Sequence, residues 1–345
     1  HRLLSEGVRL MPVMTYREAV TEALTIEMNR DETVVIMGED VAGGAGGSSG
    51  VRDNQSGIWG TYPQFHAKYG ENRFIDTPIS EAAIVAAAAG AALTGLRPIA
   101  EIMFADFMGY CLDQIQNQAA KFRYMFGGTA ETPMVVRTAY GAGLSAAAQH
   151  SQCMYSQITH IPGIKVAVPS KPADAKGLML TAIRDNDPVI FFEHKALMAA
   201  TGEVPEGDEG IPFGEAAMYR EGDDCTVVAI GRMVHFAETA IDSLAGEGIT
   251  CDLVDPRTTS PLDEETILES VEHTGRLVVV DESNPRCSVA SDIAGIVASK
   301  AFSALKAPIE IITSAHSPVP FSPVLEQAYL PSVDEITAAI RKTQD

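Results

Sequence analysis

Glu81 is a lone carboxylate. It stands between the turn Asp76-Thr77-Pro78-Ile79-Ser80 and fifteen residues drawn almost wholly from Ala, Gly, Ile, Val and Leu. Ser80 is placed to cap a helix, which puts Glu81 in its first turn. The helix dipole favours a carboxylate there by a few tenths to ~1 kcal/mol. A helix that is apolar on every side predicts burial of its whole N-terminus. Burial favours the neutral acid, so this carboxyl could give or take a proton near neutrality. Both readings stand on the residues alone: an ordinary helix-end acid, or a catalytic one. His150, in Ala-Ala-Gln-His-Ser-Gln, has small neighbours, and its ring is expected to stand open in a pocket. A lone histidine after a loop is more often a satisfied polar residue than a catalyst. Asp185-Asn186-Asp187 stops a helix before Pro188, although helix-end carbonyls beside carboxylates also suit a hard cation. No His and carboxylate grouping has zinc-ligand spacing. The Gly-rich segment after Gly38-Glu39-Asp40 lacks the Gly-Lys-Ser/Thr ending of a phosphate loop and reads as a loop lining a site. No nucleophile elbow or dinucleotide fingerprint is present.

The elements that must position these groups alternate. Thr15–Arg30 has helical apolar spacing and a capping box from Thr15 and Glu18. Strands are expected at Thr33–Met37, Pro133–Thr138, Ile164–Val168 and Val189–Phe192. Helices are expected at Gly109–Phe126 and Ala173–Arg184. This order predicts a parallel α/β sheet with helices on both faces. Ligands then bind at the strands' carboxyl ends, where Glu39, Phe107, the Gly141 loop and Glu193 would fall. Residues 201–213 are rich in Gly, Pro and acids and read as a linker. A second alternation follows, with strands at Cys225–Ile230, Thr250–Val254, Arg276–Val280 and Ile309–Thr313. Residues 1–13 are expected to be a leader or tag.

The 345 residues allow two domains, and a net charge of −21 disfavours nucleic acid and anionic membranes as partners. The five cysteines are scattered, which argues for reduced thiols in the cytoplasm. No apolar run reaches the ~20 residues needed to span a bilayer.

Several blocks in combination carry a family resemblance. They are IMGEDV (36–41), FIDTPISE (74–81), GLRPIAEIMF (95–104), LDQIQNQAAKFRYMFGG (112–128), AAQHSQ (147–152), IPGIKVAVPS (161–170), AIRDNDPVIF (182–191) and VDPRTTSPLDEETILESVEHTGRLVVVDESNPRCS (254–288). From about residue 14 to the end, the chain resembles the β subunits of the thiamine-diphosphate-dependent dehydrogenases that feed 2-oxo acid dehydrogenase complexes. GEDVAGGAG and KAPIEIITSAHSPVPFS are most similar to the acetoin-cleaving branch, while the pyruvate branch shares the catalytic blocks.

The resemblance implies a transketolase-like α/β fold: a pyrimidine-binding domain over 14–200, the linker, and a transketolase C-terminal domain over 214–345. It implies that Glu81 bonds N1′ of the cofactor's aminopyrimidine, that Phe107 stacks on that ring, and that Ile79, Glu39 and Gln114 are pocket neighbours. It assigns His150 to substrate handling and acyl transfer to lipoamide. It assigns Met134, Ala182, Ile183, Asp185 and Asp187 to a monovalent-cation (K+) site, with Asp187 where other members carry Asn. The family's Gly-Asp-Gly motif for Mg2+ and diphosphate is absent from the sequence. That half of the site is therefore expected on an α subunit, in an α2β2 assembly, with a lipoyl-bearing dihydrolipoamide acyltransferase core as a further partner. The reaction implied is acetoin cleavage to acetaldehyde, with the acetyl unit passed to lipoamide. Pyruvate decarboxylation is the close rival, and a non-catalytic scaffold subunit is the rival of another kind.

Overall fold

The computed structural model describes residues 11–42, 57 and 59–345. Most of the expected leader and of the Gly-rich loop lies outside the described residues. Among the described residues fourteen strands are formed: β1 Val13–Thr15, β2 Val34–Glu39, β3 Phe74–Thr77, β4 Arg97–Phe104, β5 Val135–Tyr140, β6 Lys165–Ala167, β7 Val189–His194, β8 Thr201–Glu203, β9 Ala217–Arg220, β10 Cys225–Ala229, β11 Cys251–Asp255, β12 Thr258–Ser260, β13 Leu277–Asp281 and β14 Glu310–Thr313. Seven of them make one sheet in the order β12-β6-β7-β5-β4-β2-β3, and five make a second in the order β14-β13-β10-β11-β9. Every pairing in the first sheet is parallel except β12 with β6. In the second only β9 runs antiparallel. The central strands are buried along nearly their whole length, as parallel strands covered by helices on both faces must be.

Local signals decide where the chain enters its helices. Thr15 Oγ1 accepts the Glu18 N–H at 3.2 Å, and Glu18 Oε2 accepts the Thr15 N–H at 2.8 Å. This reciprocal cap starts the helix Tyr16–Arg30 and contributes about 1 kcal/mol.

The tertiary structure departs from the sequence expectation in four places. The apolar helix Glu81–Leu93 is not buried all round: Ile84, Val85, Ala88, Ala89 and Ala92 face the core, while Ala83, Ala86, Ala87, Gly90 and Leu93 lie exposed. A composition without polar residues cannot tell a buried face from one left open. The single helix expected over Gly109–Phe126 is instead a 3-10 turn at Ala105–Cys111, a π turn at Gln114–Ala119 and one α turn at Phe122–Met125. The expected linker holds β8, which pairs with β1. Finally, β12 leaves the second half of the chain and joins the edge of the first sheet, with Thr258 opposite Ala167. One apolar cluster runs from Val35 and Ile102 in the first sheet to Val254 and Val279 in the second, so a shared core fixes the two sheets relative to each other.

Candidate active site

The carboxyl ends of β2 and β4 open onto a cavity of about 690 Å³ lined by Glu39, Ile79, Ser80, Glu81, Ala82, Met103, Phe104, Phe107, Tyr110 and His150. Each comes from a different kind of local structure. Glu39 is the last residue of β2. Ser80 occupies the N-cap position expected of it but makes no side-chain cap bond, and Glu81 opens the helix behind it. Phe104 ends β4, and Phe107 sits on the 3-10 turn that follows. His150 arrives on an irregular loop. The cavity therefore gathers Glu81, Glu39, Ile79, Phe107 and His150, while Gln114 does not line it. The Gln114 side chain lies on the π turn, and its Oε1 is buried without a hydrogen-bond partner among the described residues.

The cavity is acidic and walled by apolar groups. Glu81 is half-buried, and among the described residues no donor pairs with its carboxylate. Burial, followed by the like charges of Asp40, Glu81 and Asp76, raises the Glu39 carboxyl above its ordinary value. Burial, reinforced by the negative charge of Glu81, pushes the Cys111 thiol up to about 12. Carboxylates without donors, set beside an aromatic face, suit a planar ligand that brings its own N–H groups. At the rim, Ile79 and Tyr110 are 74% and 79% exposed, which leaves apolar surface around the mouth.

The His150 ring is more packed than its small neighbours suggest. It meets Phe104 edge-on with centroids 4.7 Å apart and Phe107 at 5.3 Å. Phe104 is backed in turn by Trp59 at 5.5 Å. The residues that hold this arrangement are ones sequence reasoning missed. The Lys195 ammonium donates to the carbonyl of His150. Asp106 Oδ1 accepts from the Gln152 N–H at 3.2 Å and from Gln152 Nε2 at 2.8 Å. Their partners are distant in sequence, and no local pattern marks them.

The turn at Asp185–Asp187 is supplied with positive charge by the protein. Lys165 Nζ reaches both Asp185 oxygens at 2.7 and 2.6 Å, and Arg123 pairs with Asp187. Arg97 donates to the Ile183 carbonyl at 3.1 Å, the Asp185 carbonyl at 2.9 Å and Asn186 Oδ1 at 2.6 Å. The Met134 carbonyl accepts the Val189 N–H at 3.0 Å. Three cationic side chains thus engage the carboxylates of this turn and the carbonyls of Ile183 and Asp185.

The family described as transketolase, pyrimidine binding domain, matches residues 13–200, and that described as transketolase, C-terminal domain, matches residues 214–336. The chain belongs to this family. Its first half is thus a domain of the pyrimidine-binding type, and the cavity lies within it. The chain is 58% identical to the acetoin:2,6-dichlorophenolindophenol oxidoreductase subunit beta of Cupriavidus necator, across 96% of this chain and 97% of that one. It is 53% identical to the protein of the same name from Bacillus subtilis, across 94% and 96%. It is 44% identical to the pyruvate dehydrogenase E1 component subunit beta of Rickettsia felis, across 95% and 98%. A solved structure titled split gene transketolase, inactive beta4 tetramer, superposes with a TM-score of 0.74 at 23% identity, covering 96% of this chain and 98% of that one, and so shares the transketolase-like fold.

Proposed function

We propose that this chain is the β subunit of a thiamine-diphosphate-dependent enzyme that cleaves acetoin, releasing acetaldehyde and passing the acetyl unit to lipoamide. The observation that carries the reading is the Glu81 carboxylate, unpaired among the described residues in an apolar-walled cavity of a pyrimidine-binding domain. The greater likeness to acetoin oxidoreductase β chains than to the pyruvate dehydrogenase chain favours acetoin as substrate.

The residues present fit the aminopyrimidine half of that cofactor. Glu81 would hold the proton at ring N1′, a role that requires a carboxyl group without a competing donor. The neighbouring acid, Glu39, has a raised affinity for its proton and would add a second acceptor at the same end. Phe107 would supply the stacking face, and Ile79, Ala82 and Met103 would keep water from the ring. His150 stands over Phe104 and Phe107, where it would move protons at the substrate's oxygens. When bound, thiamine diphosphate supplies the carbon nucleophile that such cleavage requires.

The sequence has no Gly-Asp-Gly motif, so the diphosphate and its Mg2+ are assigned to an α subunit. Its docking would cover the apolar rim at Ile79 and Tyr110. The unpaired thiols suit the cytoplasm, and a lipoyl-bearing acyltransferase would accept the acetyl group. Reconstituting the α–β pair and assaying acetoin and pyruvate side by side tests the reading. Turnover of acetoin with lipoamide acetylation is expected. Turnover of pyruvate alone would move the chain to the pyruvate branch.

A further inference from the structure

The loop that carries His150 cannot hold itself. Gly141, Gly143, Ser145 and Ala147 have φ values of +90°, +105°, +52° and +61°. Among the described residues, the only backbone-to-backbone bond inside residues 141–151 is His150 N–H to the Ala147 carbonyl, long at 3.4 Å. Side chains from elsewhere substitute for the missing ladder. Glu282 accepts the Ala142 N–H at 2.6 Å, and Glu326 accepts the N–H groups of Gly143 and Ser145 at 2.8 and 2.9 Å. These two acids fix the start of the loop. At its far end, the His150 carbonyl is met by Lys195.

Resting on the function proposed above, we propose that Lys195 is a positioning residue of the site, holding the main chain at His150 and so the place of the imidazole over Phe104 and Phe107. Lys195 follows directly on β7, a buried strand of the first sheet, so its anchor is rigid. The side chain is 3% exposed. Its ammonium donates to the His150 carbonyl, lies 3.4 Å from Ser151 Oγ, and stands 5.5 Å from the centre of the Phe104 ring. A buried ammonium is costly, and burial holds its proton affinity below the usual range. Asp106, Glu282 and Glu326 offset this through their charge, yet none forms an ion pair with it among the described residues. The protons of Lys195 are thus spent on the His150 loop rather than on a counter-ion. Lys195 does not line the cavity, so it acts through the lining residues it touches, and the hydrogen bond to the His150 carbonyl is its direct link to them.

The test uses the assembled α–β enzyme carrying H150A, K195M, K195R and the double variant K195M/H150A. Methionine keeps the packing of the stem and removes the donor, whereas arginine keeps donor and charge. K195M is expected to lower kcat/KM about 10- to 100-fold, as misplacement of a reacting group by about 1 Å does. K195R should recover most of that loss, and the double variant should be no slower than H150A alone. Multiplying losses, or a K195M enzyme at full rate, overturns the proposal. The His150 ring signal in 13C-histidine-labelled enzyme gives a readout without turnover: it should move in K195M and stay in K195R. An unmoved ring overturns the proposal even if activity falls. Wild-type turnover by H150A would instead sink the role given to His150, and the ring signal would still decide what Lys195 does. Should K195M not assemble, K195Q gives the same comparison.

Discussion

At the carboxyl end of the first sheet, Glu39 and Glu81 face a cavity, and among the described residues Glu81 meets no donor. At the carboxyl end of the second sheet, Asp255, Asp281 and Glu282 occupy matching strand ends, and each is fully engaged. Asp255 accepts from Ser170 Oγ at 2.5 Å and from the Arg257 N–H at 2.8 Å. Asp281 accepts from Tyr155, from the Ser283 N–H at 2.8 Å and hydroxyl at 2.7 Å, and from the Ala290 N–H at 3.3 Å. Glu282 accepts from His194 Nε2 at 2.7 Å and from Ala142. His194 Nδ1 accepts the Ala196 N–H at 3.1 Å, which leaves Nε2 as the donor. Burial pushes Glu282 up, but the His194 and Ala142 donors hold it below the ordinary carboxylate range. The same architecture thus produces an open acidic mouth in one sheet and an inter-domain clamp in the other. What separates them is whether the fold supplies donors to the acids.

The comparison can be broken most decisively at Glu81. Glu81→Gln keeps the shape and removes the acid, so turnover of the α–β enzyme should fall roughly 10²- to 10⁴-fold, the range of general acid–base groups. Its unfolding free energy should stay within about 0.5 kcal/mol of wild type, because no native partner is lost. If turnover held while assembly survived, the chain would be a scaffold. Glu282→Ala should instead show itself first in stability, although Glu282 also anchors the start of the His150 loop through the Ala142 N–H. It leaves the His194 ring and the Ala142 N–H buried without an acceptor, and urea unfolding should show a loss of about 3 kcal/mol.

Asp255 sharpens the contrast through pH. Burial raises its carboxyl from the ordinary value near 3.8 to about 7, with Asp174 adding to the shift. The folded protein keeps this proton where the unfolded chain has already shed it. The stability it contributes is present below the unfolded value and is lost as pH rises through about 7. Asp255→Asn should therefore flatten the fall in stability between pH 4 and pH 7, as read by urea titrations across that range. An equal offset at every pH would refute a neutral Asp255. The smallest effect is expected at Asp185–Asp187. Exchanging K+ for Na+ at constant ionic strength should leave the melting midpoint and turnover unchanged, because Arg97, Arg123 and Lys165 already supply the charge.

Local patterns in the chain settled a good deal. The capping box at Thr15 and Glu18 and the alternation of apolar runs with amphipathic ones set the elements, because each depends on neighbours within a few residues. DTPISE and AAQHSQ marked Glu81 and His150 by residue type, and both line one cavity. The family resemblance, not the spacing, attached a cofactor to them. Tertiary structure alone decided the rest. It opened one face of the Ala-rich helix, broke the segment after β4 into turns, sent β12 to the far sheet and set Lys195 under His150. Lys195 and His150 lie 45 residues apart, and Glu282 and Ala142 lie 140 apart. Contacts at such separation leave no periodic trace in a sequence, because which acid finds a donor is settled only when the two sheets pack together.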